Sequence, residues 1–224
     1  MSTAVDPLAE ALSAGLDAIG LAVPCAVRAK LMAHLDLLAK WNATFNLTAI
    51  RDRAQMVSHH LLDSLCVARY VRPGPMLDVG SGGGMPGVCL AIWAQAAMPD
   101  LQVTVLDANH KKAAFLRQAK ITLDLPNLEV SGERVEEFRP AHRFRQIVSR
   151  AFSDLVEFFQ LTRHLGGDAA EFPPAGTEWL AMKGVMPHEE IAHLPPQCRL
   201  AHVHRLQVPG LAAERHLVVM HAQD

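Results

Sequence analysis

The sequence predicts an α/β chain: a Rossmann-like, mostly parallel seven-stranded sheet with an antiparallel C-terminal hairpin, preceded by an N-terminal helical extension. Three observations carry this prediction. Apolar strand-like runs alternate with helical patterns between residues 76 and 183, the order that builds a parallel sheet with helices on both faces. A glycine-rich loop, Gly80-Ser81-Gly82-Gly83-Gly84, joins the first of these strands to its helix. Two closing runs, Leu200 to Val208 and Arg215 to His221, have only a turn-like stretch from Pro209 to Glu214 between them. They should pair as a hairpin, and an antiparallel edge on an otherwise parallel sheet is physically allowed.

From Pro7 to Leu65 apolar residues recur at three- and four-residue spacing, and Leu31, His34, Leu35, Leu38 and Trp41 share one helical face. Val71-Arg72-Pro73-Gly74-Pro75 is a short rigid connector. It divides the chain into an extension, residues 1–70, and a Rossmann-like domain, residues 71–224. The first strand ends at Val79, and its helix should start near Pro86-Gly87, because proline suits a first helical turn. That helix runs to about Ala97. Strands are expected at Leu101 to Asp107, Leu128 to Ser131, Gln146 to Ser149 and Trp179 to Lys183, with helices at Lys111 to Leu123 and Asp154 to Leu165. Residues 166–178, rich in Gly, Pro and Ala, read as a surface loop without chemistry.

The strand–glycine loop–helix unit has the form of a nucleotide-cofactor site, since glycines let the backbone turn tightly and approach a ligand. Gly82-x-Gly84-x-x-Gly87 matches the dinucleotide fingerprint, so spacing alone leaves NAD open. Asp78 shifts the balance: a carboxylate inside the approach strand repels a pyrophosphate but attracts the ammonium and sulfonium of S-adenosylmethionine. Asp107 ends the next strand twenty residues beyond Gly87, where a doubly wound sheet places its ribose-binding acid. A helix cap remains the alternative reading of Asp107.

Half of the 224 residues are hydrophobic, so the chain can bury a substantial core. It has no apolar run of membrane-spanning length, and its first ten residues contain Asp6 and Glu10 but no basic residue, unlike a signal peptide. A cytoplasmic protein without membrane association is expected. Cys25, Cys66, Cys89 and Cys198 are scattered without a C-x-x-C pair, and His59-His60 and His202-x-His204 complete no ligand set, so no metal is expected. The net charge is −2, whereas a nucleic-acid enzyme should be basic somewhere. Arg139, Arg143, Arg145 and Arg150 fall within twelve residues that include no acid. They are either phosphate contacts or an ordinary solvated face.

Seven segments occur in order: Trp41-Asn42-x-x-Phe45-Asn46-Leu47-Thr48, His60-Leu61-Leu62-Asp63-Ser64-Leu65, the glycine loop, Arg134-Val135-Glu136-Glu137-Phe138, Ser149-Arg150-Ala151-Phe152, Met182-Lys183-Gly184 and Glu214-Arg215-His216-Leu217-Val218-Val219. Over about residues 25–221 the chain thereby resembles the bacterial small-subunit rRNA guanine-N7 methyltransferases, the glucose-inhibited division protein B family of class I methyltransferases. The resemblance implies methyl transfer from S-adenosylmethionine to N7 of a guanine in the 530 loop of 16S rRNA. It also implies cofactor contacts at Gly80, Met85, Val135, Glu136 and Arg150, beside Asp78, Gly82, Gly84 and Asp107. The chain departs from the family pattern at Ser81 and Gly83, at His59 in place of an expected arginine, and in a longer loop at 166–178.

Guanine N7 carries a lone pair and no proton, so no general base is assigned. Arg150, Lys183 and Arg215 are positioning candidates, because cations read the N7/O6 edge of guanine. An extruded base needs a stacking surface, for which Phe152 is expected. Asn46, His60, Arg139, Arg143, Arg145, Phe152, Lys183 and Arg215 are the candidate RNA contacts, with the small ribosomal subunit as partner and the enzyme as a monomer. A methyltransferase acting on a non-RNA substrate, and an RNA-binding protein with a vestigial cofactor pocket, are the competing readings.

Overall fold

The computed structural model describes residues 6–150, 152 and 154–223; Ala151 of the fifth segment above lies outside them. Seven strands form one sheet: β1 (Gly74–Val79), β2 (Leu101–Leu106), β3 (Leu128–Ser131), β4 (Gln146–Ser149), β5 (Glu178–Lys183), β6 (Cys198–Leu206) and β7 (Arg215–Ala222). Their order is β3-β2-β1-β4-β5-β7-β6. The first five are parallel, while β7 pairs antiparallel with both β5 and β6. All seven expected strands are present within a few residues of their expected bounds, and the closing hairpin forms.

Alternation divides the apolar residues between two cores. Met76, Val103, Val105, Leu217 and Val219 point to the face covered by the N-terminal helices together with α5 (Gly87–Ala97) and α6 (His110–Thr122). Leu77, Val79, Leu106, Val218 and Met220 point to the other face, against α7 (Leu155–Thr162). Successive strand side chains must face opposite ways, so a strand buried on both sides reads as a continuous apolar run. A short helix that the sequence reading does not anticipate, α8 (His188–Ala192), lies between β5 and β6.

The N-terminal segment contains α1 (Pro7–Ala18), α2 (Cys25–Phe45), α3 (Arg53–Met56) and α4 (Asp63–Leu65). Asp6 caps α1 through a 3.0 Å bond from the Leu8 amide. Leu31, His34, Leu35 and Leu38 of α2 are buried, as their spacing predicts, and Trp41 is partly so. Lys30 fastens α2 to the domain by donating to Gln95 Oε1 at 2.8 Å and to the Asp124 carbonyl at 3.0 Å. Between α3 and α4 the helix widens into a π-helical segment, Val57–Leu62, in which the Asp63 amide bonds the Ser58 carbonyl five residues back.

His34 is fully buried against this assembly, and neither of its ring nitrogens has a hydrogen-bond partner. Burial, and then the neighbouring His60 ring, push it down to about 4. The folded state therefore binds fewer protons than the unfolded one between pH 4 and 6.5, so the stability present above 6.5 is lost as pH falls through that window. Asp78, pushed up to about 6 mainly by burial, acts in the opposite direction over pH 4 to 6. A His34→Leu variant separates the two contributions. Between pH 7 and pH 5 its urea-unfolding free energy should fall by about 2 kcal/mol less than that of the unsubstituted protein. An unchanged pH slope would mean that His34 is protonated without cost in the folded chain.

Candidate active site at the carboxyl ends of the strands

Gly80 to Gly84 leave β1 at the carboxyl edge of the sheet, where strand order reverses on either side of β1 and where open α/β sheets bind ligands. Gly80, Gly82 and Gly84 adopt positive φ values of 72°, 58° and 88°, which glycine tolerates best. Gly84 also has no room for a side chain: a Cβ there would lie 2.6 Å from Val88 Cγ2 and 3.1 Å from His34 Cε1. Gly87 is equally constrained, since a Cβ would lie 2.7 Å from Asp78 Oδ2.

The loop is held by the two carboxylates. Asp78 Oδ2 accepts from Ser81 Oγ at 2.5 Å and from the Gly87 amide at 2.8 Å. Asp107 Oδ2 accepts from the Gly82 amide at 2.9 Å, and its Oδ1 accepts from the Asn109 amide at 2.9 Å. Asp78 has no solvent exposure. One of its oxygens anchors the loop and the start of α5, and only Oδ1 has no partner. The loop amides are likewise engaged internally: Gly84 and Met85 donate to the Ser81 carbonyl at 2.8 and 3.0 Å. A pyrophosphate cradle needs such amides directed at the ligand, so this arrangement weighs against NAD.

Other candidates take more ordinary positions. Met85 is 5% exposed and packs behind the loop. Val135 is buried in the second core with Leu106 and Phe138, while Glu136 is exposed in the segment after β3.

A cleft of about 400 Å³ is lined by residues that include His59, His60, Asp63, Arg150, Lys183 and Arg215. Arg150 follows β4, and the preceding Ser149 donates through Oγ to the Val79 carbonyl at 2.7 Å, joining the cleft to the residue before Gly80. Asp63, 1% exposed, accepts from Arg150 Nη1 on Oδ2 at 2.8 Å and from Arg215 Nε on Oδ1 at 2.9 Å. Arg150 Nη1 also donates to the His59 carbonyl at 2.9 Å. Lys183 pairs with Glu190 at 2.7 Å. His60 Nε2 is 3.0 Å from Thr48 Oγ1, and burial followed by the Arg150 charge pushes the ring down to about 4. His60 is thus neutral at pH 7.

Phe152 is half-buried with its ring 5.2 Å from that of Phe158, and its carbonyl is 3.4 Å from Lys183 Nζ. Asn46 ends α2 in the left-handed region, with Oδ1 bonded to Arg51 at 3.0 Å. Arg139, Arg143 and Arg145 do not join the cleft, which corrects their grouping with Arg150. The Arg145 amide donates to the Pro75 carbonyl at 2.8 Å, and the Arg145 carbonyl accepts from the first amide of β5 at 3.0 Å. Arg145 therefore lies at the amino edge of the strands. Arg139 and Arg143 contact His164, at the end of the helix that returns toward that same edge.

Asp63 and Gly87 have no site role in the sequence reading, although one lies in the His60-to-Leu65 segment and the other closes the glycine fingerprint. Among the described residues no group of three or more His, Cys, Asp or Glu could hold a metal ion. No helix among them is long and apolar enough to cross a membrane.

A family model described as rRNA small subunit methyltransferase G (GidB) matches residues 27–218. The Ribosomal RNA small subunit methyltransferase G of Laribacter hongkongensis is 52% identical over 211 residues, covering 94% of this chain and 97% of the relative. The Pseudomonas aeruginosa protein of the same name is 50% identical over 221 residues, 98% of either chain. Among solved structures, the O-methyltransferase from Bacillus cereus in complex with SAH superposes with a TM-score of 0.58 at 16% identity, covering 96% of this chain and all of that one. That likeness supports the fold alone. Taken with the identities over nearly the whole length, the family match places this protein plainly: the chain belongs to the rRNA small subunit methyltransferase G family.

Proposed function

We propose that this rRNA small subunit methyltransferase uses S-adenosylmethionine to methylate N7 of a guanine in the 530 loop of 16S rRNA. The observation that carries the reading is the pair Arg150 and Arg215, fixed by one buried carboxylate in a cleft whose Arg150 follows the Ser149 that bonds the strand end before the glycine loop. Guanine presents N7 and O6 as adjacent acceptors, the edge that a fixed guanidinium reads best. When bound, S-adenosylmethionine supplies an electrophilic methyl group. Asp107 and the glycine loop fit its nucleoside half, and Asp78 Oδ1 is the buried acceptor still available toward its cationic half.

N7 needs no deprotonation, so the residues of the cleft act by orientation. Arg150 and Arg215 hold the base edge, Lys183 and Asn46 face the RNA strand, and Phe152 offers a ring to the extruded base. Alignment of this kind accounts for as much as about 7–11 kcal/mol of a barrier. Asp63 sets the direction of both guanidinium groups without touching the substrate.

The test is transfer of labelled methyl from S-adenosylmethionine to small ribosomal subunits from a strain lacking this protein, with the labelled nucleotide identified by digestion and mass. A single 7-methylguanosine within the 530 loop is expected. Label at another atom or another loop would overturn the specificity, and cofactor binding without any label would return the substrate to question.

A further inference from the structure

Three rings form a continuous ladder at the end of α2. Phe45 lies 5.2 Å from Trp41, and Trp41 meets Phe115 of α6 edge-on at 5.7 Å. The ladder runs outward from a fully buried ring to one that is 39% exposed. Among the described residues, Phe45 is the most exposed of the Phe, Trp and Tyr side chains. The left-handed Asn46 turns the chain sharply just after it, leaving Phe45 at the tip of the helix.

Two cations border this tip. Lys111 Nζ stands 6.0 Å from the Phe45 ring centroid, and Arg51 Nη2 bonds the side chain of Asn46 at 3.0 Å. A rigidly backed aromatic face beside exposed positive charge is the combination with which proteins hold single-stranded nucleic acid, bases stacking while phosphates meet the cations. The position fits a substrate strand. Lys111 lies in the first turn of α6, just after Asp107, and Ile50, five residues beyond Phe45, lines the cleft that holds Arg150 and Arg215.

We infer that Phe45, with Lys111 and Arg51, is a stacking platform for an unpaired base of the rRNA strand flanking the methylated nucleotide. This inference rests on the rRNA-methyltransferase reading and adds a contact outside the reaction cleft. The aromatic face holds the neighbouring base, and the cations hold the phosphates on either side of it.

The experiment compares Phe45→Ala, Phe45→Leu and Phe45→Tyr with the unsubstituted protein. Binding of purified 16S rRNA, methyl transfer to small subunits and S-adenosylmethionine affinity are measured for each. Phe45→Ala and Phe45→Leu should both weaken RNA binding and raise the subunit KM by about 5-fold or more, the scale of a lost base stack. Phe45→Tyr should stay within about twofold of the parent, because it keeps the ring. Cofactor affinity and kcat at saturating subunits should not change. Lys111→Ala should reduce the salt dependence of RNA binding by about one counterion.

Rescue by Leu would show that Phe45 only covers Trp41, and would overturn the inference. So would an effect confined to whole subunits with 16S rRNA binding unchanged, which would make the occupant a ribosomal protein. Failure of the functional reading itself has a separate signature, since the unsubstituted protein would then methylate no small subunits.

Discussion

Replacement of Asp63 by alanine is expected to cost about 3 kcal/mol or more of folding stability, and at least about 100-fold in methyl transfer to small subunits. The carboxylate is 1% exposed and each oxygen is engaged by a different arginine, at 2.8 and 2.9 Å. Without it two guanidinium groups share a partly buried cleft with no anion between them. Removing one partner of a buried pair typically costs about 3–5 kcal/mol. The lower end applies because the Arg150 and Arg215 side chains remain 25% and 23% exposed and can turn toward water. The rate loss has another origin. Both arginines owe their orientation to Asp63, and a misplacement of about 1 Å in a positioning group costs on the order of 100-fold. Asp63→Asn is expected to be intermediate in rate, since its amide offers one acceptor and directs N–H groups at the second arginine. Urea unfolding and single-turnover transfer separate the two effects. Cofactor affinity should fall by less than the transfer rate, because Asp78 and Asp107 anchor the glycine loop independently of Asp63 and only the implied Arg150 contact is disturbed. Near-normal transfer by folded Asp63→Ala protein would remove the arginine pair from the reaction.

The residues that the sequence placed well and those it misplaced differ in the range of the forces that position them. The strand Glu178–Lys183 lies within one residue of its expected bounds, because burial of Trp179 to Met182 on two faces leaves a continuous apolar run that local reading detects. The glycine loop and Asp107 were legible for a similar reason, since tight backbone turns and strand-end carboxylates are local features at fixed spacing. Charge partners are set by topology instead. Asp63 meets Arg150 and Arg215 across separations of 87 and 152 residues, and nothing in the local pattern of any of the three announces the others. The same reasoning explains the error at Arg139, Arg143 and Arg145. Adjacency to Arg150 along the chain implies little in space once β4 intervenes, for a strand carries its two ends to opposite edges of the sheet. The π-helical widening at Val57–Leu62, which belongs to the helix carrying His59, His60 and Asp63 to the cleft, has no signature in apolar spacing either. The residue types of the site were thus visible in advance, while the pairing that orients them followed from the fold.

Asp107→Ala should act on the opposite half of the site, weakening S-adenosylmethionine binding by about 100-fold while leaving kcat at saturating cofactor within about threefold. Charge-assisted hydrogen bonds contribute about 1.5–3 kcal/mol each, and a carboxylate at the end of the second strand is placed to accept from both ribose hydroxyls. Its geometry is already set: one oxygen holds the Gly82 amide, the other holds the Asn109 amide, and Lys112 Nζ stands 3.7 Å away. The substitution therefore removes a ligand acceptor and also releases one anchor of the glycine loop. Asp107→Asn divides these contributions, because a single amide oxygen can keep either the loop or a ribose hydroxyl but brings no charge to Lys112. The subunit KM should move less than the cofactor affinity, since Asp107 is absent from the cleft lined by Arg150 and Arg215 and reaches Lys111 only through the Asn109 turn. Isothermal titration with S-adenosylmethionine, paired with transfer assays at saturating cofactor, measures the split. A dissociation constant within threefold of the unsubstituted protein would reduce Asp107 to an anchor of the glycine loop and of the Asn109 turn before α6. A loss of kcat equal to the loss of affinity would mean that the ribose end and the methyl-transfer end are aligned by one rigid loop rather than by separate anchors.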